Sequence, residues 1–305
     1  MALTESIVNY RRFLKRRNYS AHTVKNYMNT LKHFVVWVDV PMEQVTNRKV
    51  MAYIDCLLDR GLSPKTINCH LGSVRGFYDY LRHEEVLEIA NPVKRGYLLR
   101  LPKPLPRHLK DEEVRRLFEV IKGRRDRAMF LVMVRCGLRV EEVAGLALGD
   151  IDLRRARIIV QKGKGSKGRV VYVSNDAHQA LVVYLKARPT SRARNLFLVG
   201  KDTMRAQPIS VRGIQKRMES YARRAGLKVS CHDLRHTMAT QLLNADAELV
   251  TIQDLLGHSR ITTTQRYCRV SNLKVQRDYY KAMEIVMQKT PQNTSGLTGA
   301  ETSGS

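Results

Sequence analysis

The sequence predicts a mainly α-helical protein of two domains with one small β-hairpin. Its 305 residues suit two domains at roughly 150 residues each. Apolar residues recur every three or four positions along most of the chain, which is the period of amphipathic helices. Two short β-branched runs flank a glycine-rich segment, residues 162–168, and this pattern is typical of a hairpin. The composition, 43% hydrophobic and 27% charged, excludes a wholly disordered chain.

Residues 1–91 are predicted to form a domain of four helices. Two of the helices begin at the capping residues Ser20 and Ser63, and Pro64 occupies the first position of the fourth helix, where proline is favourable. Each helix carries an apolar stripe that we interpret as core: Ile7, Tyr10 and Leu14; Thr23, Tyr27, Leu31 and Phe34; Val50, Ile54, Leu57 and Leu58; Ile67, Leu71, Val74, Tyr78 and Leu81.

Residues 92–108 are predicted to be a basic linker between the domains. Four prolines alternate there with five lysines and arginines. Prolines at this density break helices, and the cations between them can lie along phosphate groups. The domain boundary therefore falls in this segment, which is itself a candidate contact to an anionic partner.

The second domain is predicted to span residues 109–289. A final amphipathic helix is expected over residues 271–288, with an apolar face that docks on its own domain or on a neighbouring protomer, and residues 290–305 are expected to be disordered. The other predicted elements are helices over 109–122, 127–146, 176–187, 211–225, 234–243, 249–256 and 262–267, and strands over 157–161 and 169–173.

The net charge of +26 indicates a polyanionic partner. Basic residues outnumber acidic ones in both halves of the chain, so we expect nucleic acid first and an anionic membrane surface second. No apolar run is long enough to span a membrane, and the N-terminus lacks a signal sequence, which predicts a cytoplasmic protein without a membrane partner. The five cysteines contain no C-x-x-C pair, and we interpret Cys231, beside His232, as a buried thiol rather than a nucleophile.

Four segments of the second domain resemble the catalytic core of the tyrosine recombinases, the phage-integrase family, and specifically its compact Xer-like branch. The resemblance covers about residues 1–288, because the N-terminal helices also resemble the core-binding, SAM-like domain of that family. The segments are Cys136-Gly-Leu-Arg139-Val-Glu-Glu142-Val, Gly163-Lys164-Gly165-Ser-Lys-Gly-Arg169, His232-Asp-Leu-Arg235-His236-Thr and Leu256-Gly-His258-Ser-Arg-Ile-Thr-Thr-Thr-Gln-Arg-Tyr267.

The resemblance implies strand cleavage by a tyrosine. Tyr267 would attack the scissile phosphate, form a 3'-phosphotyrosyl link and release a 5'-hydroxyl. Lys164, or alternatively Lys167, would protonate the leaving oxygen. His232 would act as general base or hydrogen-bond donor, and His258 would contact a non-bridging oxygen. Because the bond energy stays in the phosphotyrosine, the resemblance implies no ATP, no metal and no other cofactor.

Elementary chemistry supports the same residue types. A phosphorane transition state needs fixed cations, and the planar guanidinium groups of Arg139 and Arg235 suit phosphate oxygens. A tyrosine with a pKa near 10 is only ~0.1% ionised at pH 7 and needs activation. Glu142, one turn beyond Arg139, would orient that arginine. The alternatives are an ordinary exposed Arg139–Glu142 helix pair and a core position for Tyr267.

Two competing motifs, a zinc-protease helix and a P-loop, are excluded by the residues next to them. His232 and His236 have the spacing of a zinc-protease helix, but Asp233 replaces the glutamate and Arg235 would lie beside the metal. The glycine-rich segment 163–168 has P-loop spacing, but Arg169 follows it where the P-loop lysine belongs.

The expected architecture is a two-domain clamp around double-stranded DNA. The resemblance implies a homo-tetramer on two DNA sites, or a mixed tetramer with a related recombinase, that exchanges strands through a Holliday junction in nucleoid-associated, prokaryotic-type DNA. Residues 63–81 and 211–225 are candidate base-reading helices. Their candidate side chains are Lys65, Asn68, His70, Arg75, Arg212, Gln215 and Lys216.

Three functions are compatible with this interpretation. The first is site-specific recombination in dimer resolution or in mobile-element integration and excision. The alternatives are a type IB topoisomerase-like nicking-closing enzyme and a non-catalytic, sequence-specific DNA-binding regulator.

Overall fold

The fold was analysed in a computed structural model that describes residues 3–102, 106–161, 168–200, 206–258, 261–265, 267, 276–281 and 283–284. The chain divides into two compact units, residues 1–103 and 104–305. This division lies within the proline-rich segment that the sequence marks as a linker.

In its described residues, the first unit contains four α-helices. Ser20 and Ser63 cap the second and fourth helices, because their hydroxyl oxygens accept the backbone N–H groups of Thr23 and Thr66 at 3.1 and 3.3 Å. Both capping predictions are confirmed. The helices are α1 (Leu3–Arg16), α2 (Ala21–Trp37), α3 (Asn47–Asp59) and α4 (Pro64–His83).

The core of the first unit forms where α2 packs against α4. Phe34, Ile67 and Leu71 are buried in it, so the predicted stripes of these helices do face inward. The start of the predicted linker also packs here: Val93 is buried, and the backbone of Leu99 pairs with an α4 side chain. Residues 92–99 therefore pack as part of the first unit.

The second unit surrounds one central helix, α6, which packs against α8 and α10. Its residues 128–134 are all buried. The helices of this unit are α5 (Asp111–Val120), α6 (Arg124–Cys136), α7 (Val140–Gly145), α8 (Asn175–Ala187), α9 (Val211–Arg224), α10 (Cys231–Asn244), α11 (Leu249–Leu256) and α12 (Ile261–Thr264).

A three-stranded antiparallel sheet completes the second unit. Its strands are β1 (Ile151–Asp152), β2 (Arg157–Val160) and β3 (Arg169–Tyr172), in that spatial order. Val160 lies opposite Arg169, which confirms the predicted β2–β3 hairpin. Strand β1 has only two residues, too few for an alternating pattern to indicate it.

The prediction of one helix over 127–146 is wrong, since Gly137 ends α6 in the left-handed conformation at φ 67°. A Cβ atom there would lie 3.1 Å from Met238 Sδ, so this turn requires glycine in both conformation and space. The break makes Arg139 the N-cap of α7.

Of the predicted final helix, residues 276–281 and 283–284 are helical. Residues 271–275, 282 and 285–288, and the tail 290–305, lie outside the described residues. Among the helices that the structure describes, none combines the length and apolar character needed to cross a bilayer.

Candidate active site

Arg139 and Glu142 form a largely shielded ion pair at the start of α7. Arg139 Nη1 donates to Glu142 Oε1 at 2.9 Å, and the Arg139 backbone N–H donates to Oε2 at 2.7 Å. The Glu142 side chain is 4% exposed and that of Arg139 20%. The alternative of an ordinary exposed helix pair is therefore wrong.

Glu142 has a second partner in Arg169, the first residue of β3. Arg169 Nη1 and Nη2 donate to the two carboxylate oxygens at 2.7 and 2.8 Å. Burial raises the pKa of Glu142, but the Arg169 hydrogen bonds, the Arg139 backbone N–H and both guanidinium charges lower it more, to about 2. The carboxylate is thus ionised at any physiological pH.

Arg235 lies on α10 and is 1% exposed. Its Nη1 donates to the carbonyl of Gly137 at 2.5 Å and its Nη2 donates to the carbonyl of Leu256. Burial, with the charges of Arg139 and Arg169, lowers the pKa of Arg235 to about 9, so it remains a cation at pH 7. Two carbonyls at helix ends thereby fix the guanidinium.

His258 follows α11 directly. Gly257 ends the helix at φ 60°, and the His258 N–H returns to the carbonyl of Gln253 at 3.1 Å. His258 Nδ1 lies 2.9 Å from Thr264 Oγ1. Burial and the charges of nearby arginines, Arg235 foremost, lower the pKa of His258 to about 4, so the imidazole is neutral at pH 7.

Tyr267 lies among Met238, Leu256 and other apolar side chains and is 2% exposed. Its hydroxyl oxygen is 2.7 Å from Nδ1 of His236, and its ring is nearly parallel to that of His258, with centroids 6.5 Å apart. The side chain thus satisfies the core interpretation, yet it directs its hydroxyl into the histidine cluster.

His232 lies on the first turn of α10 with an exposed side chain. Its ring meets that of His236 edge to face, with centroids 4.2 Å apart. Reduced hydration of the ring and the charge of Arg235 lower the pKa of His232. A continuous row therefore runs from His232 through His236 to Tyr267.

Comparisons with known proteins identify the family of this chain. The family model described as "Phage integrase family" matches residues 107–274, and that of its N-terminal SAM-like domain matches residues 7–85. The chain belongs to the phage integrase family. It is a site-specific tyrosine recombinase, and the comparisons favour neither the topoisomerase nor the non-catalytic alternative.

Curated relatives resemble the recombinase over most of its length. Tyrosine recombinase XerC of Myxococcus xanthus is 34% identical, covering 86% of this chain and 92% of the relative. Tyrosine recombinase XerA of Thermococcus onnurineus is 30% identical, covering 94% and 99%. Both relatives are therefore similar across the two units.

Solved structures agree on the fold. A crystal structure of XerA recombinase is 25% identical with a TM-score of 0.54 and covers 91% of this chain and 98% of its own. A lambda integrase fragment, a dimer bound to a core site, is 18% identical with a TM-score of 0.71 and covers 88% and 95%. The similarity to the lambda integrase fragment supports the fold only.

Five of the six predicted catalytic residues lie within the described part of the second unit, linked by the contacts above. Lys164 and the alternative Lys167 lie outside the described residues. Cys231 is buried, and burial raises the pKa of its thiol to about 12, which leaves it protonated. Within the described ranges, histidine, cysteine and acidic side chains do not form a group of three that a metal ion requires.

Sequence reasoning missed three residues of the site: Arg169, His236 and Thr264. Arg169 closes the hairpin segment and His236 follows Arg235 directly, so both stood within motifs that were already singled out. His236 was weighed only as a zinc ligand. Thr264 carried no signal beyond its place between His258 and Tyr267.

Two of the candidate base-reading side chains of the recombinase are committed to protein contacts. His70 is 6% exposed, and its Nδ1 lies 2.8 Å from the hydroxyl of Tyr53. Asn68 donates to the carbonyl of Leu99 and accepts the Leu99 N–H, both at 2.9 Å. These positions secure the first unit, and the expectation that His70 reads bases is corrected because its ring is buried.

The other five candidates reach the surface to different degrees. Lys65 is exposed, and Arg75 is half-buried with Nε 3.9 Å from an aspartate on the next turn of α4. On α9, Arg212 and Lys216 are exposed and Gln215 is half-buried. These side chains stay candidates for base reading.

Proposed function

We propose that the recombinase cleaves one DNA strand at a time with Tyr267 as nucleophile. The observation that carries the proposal is that the contacts of two other site residues lead to the surroundings of Tyr267. Arg235 donates to the carbonyl of Leu256, which packs in the same apolar cluster as Tyr267. His258 contacts Thr264, which precedes Tyr267 by one turn. The similarity to tyrosine recombinases over both units supports the same nucleophile.

The charge of the site suits a phosphate. Among the described residues, the site contains three guanidinium groups, those of Arg139, Arg169 and Arg235, and one carboxylate, that of Glu142, so two positive charges remain. In our proposal, Arg139 and Arg235 hold the non-bridging oxygens, where negative charge grows as the phosphorane forms. The arrival of a phosphate anion raises the pKa of neutral His258 and strengthens the hydrogen bond between His258 and a non-bridging phosphate oxygen.

The proposed step balances without an external energy source. The Tyr267 oxygen forms a bond to phosphorus while the bond from phosphorus to the 5'-oxygen breaks. The phenol proton passes into the histidine row of His236 and His232, and the 5'-oxygen takes a proton from Lys164. Attack by a 5'-hydroxyl on the phosphotyrosine reverses these events and rejoins DNA. In the forward step, the Tyr267 hydroxyl leaves its contact with His236 before its oxygen attacks phosphorus.

The assembly that we propose contains four protomers on two DNA sites, either identical or mixed with a related recombinase. Strands are exchanged in pairs through a Holliday junction, on cytoplasmic DNA of the nucleoid. Support comes from the net charge of +26 and from the XerH recombinase structure, which is bound to a palindromic difH substrate. Dimer resolution or mobile-element integration and excision is the proposed biological role.

Covalent capture in cells tests the proposal and recovers the target sequence in the same experiment. Wild type, Tyr267→Phe and Tyr279→Phe are expressed, cells are denatured rapidly, and DNA attached to the protein is sequenced. Tyr279 is exposed and serves as the matched control. Wild type and Tyr279→Phe are expected to carry DNA through its 3'-phosphate, whereas Tyr267→Phe carries at least about 1,000-fold less and still retards duplex DNA in gels. Equal capture by Tyr267→Phe would overturn the proposal.

A further inference from the structure

Arg169 is a buried cation that the reaction proposed above does not use. Its side chain is 8% exposed, although it stands at the first residue of β3, directly after the segment that carries Lys164. Burying a guanidinium costs several kcal/mol unless its partners are well placed. The burial of this arginine therefore requires an explanation.

The first partner of Arg169 is Glu142. Both terminal nitrogens donate to the carboxylate, at 2.7 and 2.8 Å, the planar two-bond geometry that makes an arginine–carboxylate pair strong and specific. Arg139 reaches the same carboxylate with its side chain only through Nη1, at 2.9 Å. The carboxylate is thus aligned with Arg169 and shares only one side-chain hydrogen bond with Arg139.

Because Glu142 is aligned with Arg169, most N–H donors of Arg139 are left to bind a phosphate. A guanidinium has five N–H donors, and in the described contacts with Glu142 Arg139 commits one of them. If Arg169 were absent, the single carboxylate would be free to turn its full charge toward Arg139. A phosphate would then compete with Glu142 for the same donors.

The second set of contacts joins Arg169 to the turn before His258. Arg169 Nε donates to the carbonyl of Leu255 at 2.8 Å. A Cβ atom on Gly257 would lie 3.0 Å from Arg169 Cδ and 3.3 Å from Nη1, so the arginine packs directly against this glycine. The same side chain thereby supports the end of α11.

We infer that Arg169 is a positioning residue for strand cleavage: it holds Glu142 away from full pairing with Arg139 and supports the Gly257 turn that presents His258. The inference rests on the proposed roles of Arg139 and His258. Arg169 acts through these residues and does not itself contact DNA.

Single-turnover cleavage of a nicked oligonucleotide, carrying the site recovered by covalent capture, tests the inference. Arg169→Gln is expected to slow cleavage about 100-fold, and Arg169→Lys about 10-fold because lysine keeps the charge without the two-bond fork. Arg157→Gln is the matched control. Arg157 lies on the adjacent strand, pairs with Asp152 at 3.1 Å and is 32% exposed, and we expect a change of less than about twofold.

A second substrate separates positioning from damage to the fold. The same oligonucleotide with a neutral methylphosphonate at the cleavage point carries one negative charge fewer, so it gains less from Arg139. We expect Arg139→Ala and Arg169→Gln each to fall within about threefold of wild type on this substrate. An Arg169→Gln defect that is equal on both substrates, or that matches its unfolded fraction, would overturn the inference.

Arg139→Ala also distinguishes a failure of the inference from a failure of the proposed function. If it shows the substrate dependence and Arg169→Gln does not, the positioning role is wrong and the proposed reaction stands. If Arg139→Ala cleaves the phosphodiester at the wild-type rate, the proposed site is wrong, and the role of Arg169 falls with it.

Discussion

The two units differ in the charge of the polar side chains that they bury. In the first unit the buried polar pair is neutral: the Tyr53 hydroxyl meets His70 at 2.8 Å, and burial lowers the pKa of that histidine. In the described part of the second unit, charged groups are buried beside neutral threonines, with Arg235 at 1% exposure and Asp126 at 3%. The Glu142 side chain there is 4% exposed.

A buried charge alone therefore does not identify a functional site, and the groups around that charge must be compared as well. Asp126 accepts from Arg125 at 2.8 Å, from Arg217 at 2.6 Å and from Tyr221 at 2.9 Å, so it fastens α9 to α6. The cluster around Arg235 differs because it adds imidazoles to guanidinium groups and a phenol. Guanidinium groups beside imidazoles and a buried phenol are what distinguish this cluster as a candidate phosphate site.

The largest effect is expected for Arg235→Lys. Lysine keeps the charge but cannot donate to the carbonyls of Gly137 and Leu256 in the same fork, so the cation is misplaced and two buried acceptors lose their donors. Single-turnover cleavage is expected to fall at least about 1,000-fold, and urea unfolding to show a loss of about 2 to 3 kcal/mol. Cleavage within tenfold of wild type would show that the fixed geometry is unnecessary.

Glu142→Gln probes the charged cluster of the second unit through the pH dependence of stability. The pKa of Glu142 is about 2 in the folded protein and about 4.3 in an unfolded chain. A lowered pKa stabilises the fold above the unfolded pKa, and this stability is lost as pH falls toward the folded value. The free energy of unfolding of wild type should exceed that of Glu142→Gln by about 3 kcal/mol at pH 7. This difference should shrink as pH falls from 4 to 2.

Urea unfolding of both proteins at pH 7, 5, 4 and 3 measures that difference. A gap that stays constant over this range would show that Glu142 is not stabilised by its ionisation, and that the site does not depend on its charge network.

The smallest effect is expected in the first unit. Tyr53→Phe removes one neutral hydrogen bond from His70 and should cost about 1 kcal/mol, with single-turnover cleavage of bound DNA unchanged. Tyr19→Phe, at an exposed position, is the control and should change the free energy of unfolding by less than about 0.5 kcal/mol. A loss of several kcal/mol at Tyr53 would remove the contrast between the units.

Local signals in the sequence were sufficient for much of the fold. Ser20 and Ser63 are caps because a hydroxyl three residues from a free N–H satisfies it wherever the helix lies. The β2–β3 hairpin follows from two β-branched runs around glycine. The candidate catalytic positions followed from a resemblance carried by four segments, since no local rule connects Arg139 with Tyr267 at such a distance along the chain.

Tertiary contacts determine what the sequence did not predict. Gly137 breaks a helical run because its left-handed turn packs against Met238, which is distant along the chain. The partner of Arg169 lies 27 residues away, and a helix-spacing rule finds only the nearer Arg139–Glu142 pair. His236 has metal-ligand spacing in the sequence, and only the fold places Tyr267 against it.

The decisive measurement is to find the atom that carries DNA. Protein captured with its DNA is digested with nuclease and protease, and mass spectrometry locates the residual nucleotide among the 13 tyrosines. We expect a nucleotide joined through its 3'-phosphate to Tyr267. A nucleotide on any other residue, or one joined through a 5'-phosphate, would contradict the proposed reaction.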